Sequence, residues 1–98
     1  MATDIRQLIA GLGDASPGKR SQAAEQLSHL GAEAQEAAVA LVRACADPEE
    51  EVRQWAVTAL EDLGPPAPTQ VNSLAALVPD KSLDVGYWAA TLLGRLKD

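Results

Sequence analysis

The stretch "DPEEEVRQWAVTALEDLG", Asp47 to Gly64, decides the fold. Val52, Ala56, Leu60 and Leu63 recur at i, i+4, i+8 and i+11, the spacing that lines one face of an α-helix. Asp47 reads as the N-cap, and Pro48 at the first helical position forfeits no hydrogen bond. Glu49, Glu50 and Glu51 follow where the helix dipole favours anions. Gly64 and the prolines of "PPAP" (65–68) forbid continuation.

The same pattern occurs on either side. Asp14, Asp47 and Asp80 lie 33 residues apart, and the segments that follow them align without gaps. "DASPGKRSQAAEQLSHLG" (14–31) and "DKSLDVGYWAATLLGRLK" (80–97) place Ala23 and Ala89 with Ala56, Leu27 and Leu93 with Leu60, and Leu30 and Leu96 with Leu63. The second half of the unit repeats as well: Ala38, Leu41, Val42 and Cys45 align with Val71, Leu74, Ala75 and Val78. One period earlier, Ile5, Leu8, Ile9 and Leu12 fall in the same columns. These segments predict helices over about 4–12, 17–30, 33–46, 48–63, 67–78 and 81–96, with Gly31 closing the second. Short loops make sequential helices antiparallel neighbours. No such helix buries its apolar stripe alone, so the expected fold is all-α. It is an α-solenoid of three 33-residue helical-hairpin periods, six antiparallel helices in a single domain. Its divisions are a half repeat over 1–13, repeats over 14–46 and 47–79, and a half repeat over 80–98.

Asp47, Val52-Arg53, Ala56, Ala59-Leu60 and Leu63-Gly64 resemble the HEAT-like repeat of the PBS-lyase type, over essentially the whole chain. The ankyrin signature Thr-Pro-Leu-His is absent despite the shared length, and so is the tetratricopeptide pattern. Lys19 stands where the repeat has valine in the first copy, and Gly86 where it has arginine in the third. The resemblance implies that the arginine pairs with an aspartate of its own or an adjacent repeat, as Arg20 with Asp14 and Arg53 with Asp47. Gly86 would then remove one link and loosen the outer turn of the C-terminal unit. It also implies a non-catalytic protein-interaction or scaffold role, with the second helix of each unit lining the concave side.

Composition narrows the function classes. Residues 47–79 hold six acids and one base, so most of the net charge of −6 sits in one repeat. No basic stripe is available to displace phosphate counterions, which argues against nucleic acid. One cysteine, Cys45, builds neither a disulfide nor a cysteine-based zinc site, and its column places it in the core. A single histidine, His29, cannot form the dinuclear iron site of HEAT-like hydroxylases, and no other metal or cofactor is expected. No apolar run approaches the roughly 18 residues of a membrane span, and "MATDIRQLIAGLG" lacks the build of a secretory signal, so a cytoplasmic location is expected.

The residues left for partner binding are few. Trp55 and Trp88 share one repeat position on the flank of the buried stripe, where the first copy has Gln22. Each indole is expected to pack on a neighbouring helix, and a pair on successive units is also a partner anchor. Tyr87 lies nearly opposite the stripe. Glu49, Glu50 and Glu51 form the acidic patch. Arg6, Gln7, Glu36, Ala40, Arg43, Thr69, Asn72, Ser73 and Ala76 face outward on the second helices, and Arg6, Arg43 and Asn72 are the strongest polar candidates among them. The apolar flank of the last helix leaves three alternatives: a longer array, a homodimer through the C-terminal helix, or a protein partner that covers it. A self-associating structural unit and an accessory subunit of a bilin-lyase-like enzyme are the alternative functions.

Overall fold

The computed structural model describes residues 4–97. Met1 to Thr3 and Asp98, the outer ends of the two expected half repeats, lie outside the described residues. The described chain is all-helical, with no strand. Its α-helices are α1 (Ile5–Gly11), α2 (Pro17–Leu30), α3 (Ala38–Ala44), α4 (Glu50–Leu63), α5 (Val71–Leu77) and α6 (Leu83–Gly94). Short 3-10 segments occupy Gly31–Ala37, Pro68–Gln70 and Arg95–Lys97. Neighbours α1/α2, α3/α4 and α5/α6 pack as hairpins, and α3 also touches α5 and α6. The described body measures 33 × 31 × 18 Å. Its short dimension fits two layers of helices, each about 10 Å across.

The repeat columns form the core. Ala23, Ala56, Ala89, Leu27, Leu60 and Leu63 are buried from α2, α4 and α6, and Leu8, Leu12, Leu41, Val42 and Leu74 from the other layer. Cys45 is buried in its expected column. Burial fades toward the C-terminal end, where Val78 and Leu96 are exposed although both align with core positions. Gly31 and Gly64 close α2 and α4 with φ of 55° and 78°, the left-handed region that a side chain resists.

The helix starts depart from the sequence reading. Asp47 is not the N-cap of α4; Glu49 takes that place, and the helix begins at Glu50. The Asp47 carboxylate instead accepts the Glu49 N–H at 2.9 Å, which turns the chain before the helix. Asp14 and Asp80 do the same for the N–H groups of Ser16 (2.8 Å) and Ser82 (2.9 Å). The repeated aspartate is therefore a turn former two residues ahead of the cap.

Helices α3 and α5 are shorter than expected because each is preceded by 3-10 turns. At the first junction the Val39 N–H donates to the Gln70 side chain (3.0 Å), and the Gln35 carbonyl accepts the Ala67 N–H (3.4 Å). Val39 N–H and Gln35 C=O are the donor and acceptor that an uninterrupted α-helix would pair with each other. The next unit satisfies both.

Gly86 also meets a packing demand that the sequence does not show. A Cβ there would lie 2.6 Å from the Val78 carbonyl oxygen, so the start of α6 meets the end of α5 only because this residue has no side chain.

Candidate functional site

Two layers present different surfaces. Between α1 and α3 lies a groove of about 510 Å³, lined by Ile9, Leu12, Val39, Ala40 and Ala44 with Glu36, Arg43, Asp47 and Gln70 around them. Helices α1 and α3 both contact residues 31–37, and the floor between them is apolar. Ile9 and Val39 remain partly uncovered while Leu12 and Ala44 are buried. The side chain of Gln70 is held in place by the Val39 N–H. Arg43, seven residues after Glu36, is exposed beside the floor. Such a surface has the makeup of a recognition groove, apolar at the bottom with a few polar groups to orient what enters.

The outer layer is held by charge. Arg20 on α2 grips the Asp47 carboxylate with two nitrogens, Nε to Oδ2 at 2.8 Å and Nη2 to Oδ1 at 3.3 Å. Its remaining nitrogen donates to the carbonyls of Asp14 (2.9 Å) and Ala15 (3.3 Å). The aspartate carboxylate it pairs with is thus that of the following repeat, while its own repeat supplies only carbonyls. Arg53 repeats half of this arrangement: its Nη1 donates to the Asp47 carbonyl at 2.6 Å. Among the described residues it makes no ion pair. Ser21 donates to Glu51 at 2.9 Å, a second bond between α2 and α4.

Most of the residues singled out by sequence stay apart. Arg43 reaches the groove together with Glu36 and Ala40. Arg6 is drawn instead to Asp4 at 3.5 Å, and Asn72 is exposed on α5 outside the groove. The Arg6 backbone N–H also caps α1 through the Asp4 carboxylate (2.9 Å), and that bond is the main reason the Asp4 carboxyl titrates below its usual range. Glu49, Glu50 and Glu51 divide: Glu49 is the N-cap residue of α4, Glu50 accepts from Gln54 (3.3 Å), and Glu51 is tied to Ser21. Glu49 and Glu51 share a recess of about 280 Å³ with Glu25.

Trp55 and Trp88 are both half-buried against the core, but their surroundings differ. The His29 ring from α2 meets Trp55 edge-on at 6.2 Å. Trp88 instead meets Tyr87 edge-on at 5.4 Å and has the Arg95 guanidinium 5.9 Å from its ring centre. Tyr87 itself is 63% exposed and Leu83, one turn earlier, 88%. Neither indole is fully covered, so the cost of removing one falls below the 3–5 kcal/mol typical of a well-buried Trp.

Three functional features escaped the sequence reading. Ile9 and Leu12 fall in core columns by periodicity, which cannot separate a core from the floor of a groove, while Val39 shares the column of Arg6 and Asn72. Gln70 gave no signal at all. Arg95 donates from Nη1 to the carbonyls of Leu60 and Gly64, both at 2.9 Å, and so caps the end of α4 from the turn after α6.

A profile of HEAT repeats matches residues 5–94. The chain belongs to the HEAT-repeat family. HEAT repeats generally mediate protein–protein interaction or scaffolding, and the fold is typically non-catalytic. A comparison with curated proteins found no matching sequence. Among the described residues of this HEAT-repeat chain, no three His, Cys, Asp or Glu side chains gather as a metal site. No helix there is long and apolar enough to cross a membrane.

Proposed function

We propose that this chain is a solenoid of three 33-residue helical-hairpin periods working in the cytoplasm as a non-catalytic protein-interaction module. The partner docks in the groove between α1 and α3. Support comes chiefly from the groove itself, an apolar floor of Ile9, Leu12, Val39 and Ala40 set between Glu36 and Arg43. That arrangement suits a protein segment that inserts an apolar side chain and places polar groups at either side. A photo-crosslinking residue at Ala40, compared with one at exposed Lys19 on α2, tests this in the native cell. A discrete protein adduct is expected from position 40, absent from position 19 and lost when Arg43→Glu is added. Equal adducts from both positions, or none from position 40, would count against the reading.

A second reading is self-association through α6, favoured by the exposure of Leu83 and Tyr87 on successive turns of one helix face. A mass by light scattering that doubles with concentration supports it, and a constant monomer mass removes it.

A further inference from the structure

The contact between α2 and α4 and the contact between α4 and α6 are built from equivalent residues but are not equally made. Helices α2 and α4 pack along their length, whereas α4 and α6 barely meet. Arg95 holds their C-terminal ends together through the Leu60 and Gly64 carbonyls. Toward their N-terminal ends they part around a cleft of about 470 Å³, lined by Cys45, Glu50, Arg53, Gln54, Val57, Thr58 and Asp84. We propose that this cleft is the open form of an inter-repeat interface that closes when Arg53 engages Asp80.

The preceding interface supplies the template. Adding 33 to Arg20 and Asp47 gives Arg53 and Asp80, and adding 33 to Ser21 and Glu51 gives Gln54 and Asp84. Arg20 bonds Asp47, and Ser21 bonds Glu51. Of the counterparts, Gln54 turns back to Glu50 in its own helix, and Arg53 bonds only the Asp47 carbonyl. The unmade groups are nevertheless compatible with closure. Asp47 holds the Glu49 N–H and Arg20 at once, so the bond from Ser82 to Asp80 leaves the Asp80 carboxylate able to receive Arg53. Among the described residues, Arg53 is also the only base lining a cleft that Glu50 and Asp84 make acidic, which favours its pairing with a carboxylate of this chain.

One apolar position also differs between the two interfaces. Ala24 on α2, fully buried against α4, is replaced at the equivalent position by Val57, which stands half-buried in the cleft. Closure turns α5 and α6 about the Arg95 clamp, covers Val57 and seals the cleft over Cys45. The α5/α6 hairpin therefore has two positions relative to the α3/α4 hairpin, which gives the array one localised hinge.

Thermal melting of Arg53→Gln, Asp80→Asn and the double variant tests this. Asn at position 80 keeps an oxygen for the Ser82 N–H, so the turn survives. In the open form residues 53 and 80 share no bond and the two shifts add. With the closed form populated, the double variant falls short of the summed shifts by more than about 3 °C, on the scale expected for a domain of this size. Additivity within that limit overturns the proposal. Gln54→Cys with Asp84→Cys, in a Cys45→Ala background, is the independent measurement should an Arg53 variant fail to fold. Closure brings the two thiols within reach of a short bis-thiosulfonate linker, and a pair that remains uncross-linked in the folded protein overturns the proposal.

Discussion

Arg20 works as the fastener between the first two repeats. Its side chain and that of Asp47 are 15% and 8% exposed, so the pair is screened little by water or salt. Arg20→Ala leaves a mostly buried carboxylate with only the Glu49 N–H, and is expected to cost about 2–4 kcal/mol in urea denaturation. Arg20→Lys keeps the charge but loses the two-pronged grip, and should recover only part of that. The sequence resemblance pairs Arg20 with Asp14 and Arg53 with Asp47, whereas Arg20 takes the Asp47 carboxylate and Arg53 only the Asp47 carbonyl. The choice depends on how far one repeat is displaced from the next, which periodicity within a chain does not contain. Cys45 gives a pH signature. Burial, and secondarily the Asp84 carboxylate, raises its thiol from 9.0 to about 12. The folded protein then holds this proton more tightly than the unfolded chain. That contribution is complete below about pH 9 and is lost as pH rises toward 12. Melting temperatures of the parent and Cys45→Ala, followed from pH 8 to 11, should converge as the parent loses this advantage.

Among the elements, α6 differs most from its equivalents. It carries one charged side chain, Asp84, within Leu83–Gly94, and exposes Leu83 and Tyr87. Helix propensity alone says that Gly86→Ala stabilises it by about 1 kcal/mol. The Val78 carbonyl, 2.6 Å from where that Cβ would stand, reverses the sign. Gly86→Ala should lower the melting temperature by several degrees, on the order of 1–3 kcal/mol of overpacking, whereas Gly94→Ala, with open space around it, should not. The existence of the helices was legible because apolar spacing, prolines and closing glycines all agreed on them. Their first turns were less so. Asp47 resembles a cap by residue type, and only the three equivalent turns show that the cap falls two residues later. The 3-10 start of α3 depends on Gln70 and Ala67 reaching in from another unit, and no local pattern records that.

For the whole molecule, the period of 33 and the core columns pointed to the family, while the lining of the candidate groove was legible in part. Arg43, Glu36 and Ala40 were placed on an open face by helical phase, and they do line the groove. The tryptophans and the triple glutamate were singled out by rarity and charge, and the fold distributes them to separate structural tasks. The junction at Gln35 and Val39 bears on how the molecule comes apart. One unit holds a gap in its hydrogen-bond ladder that only the next unit fills, through Ala67 and Gln70. Unfolding of the C-terminal hairpin thus withdraws two partners from the middle of the neighbouring one. Melting should propagate inward as a cooperative front, and a boundary drawn at the period is not a boundary of folding.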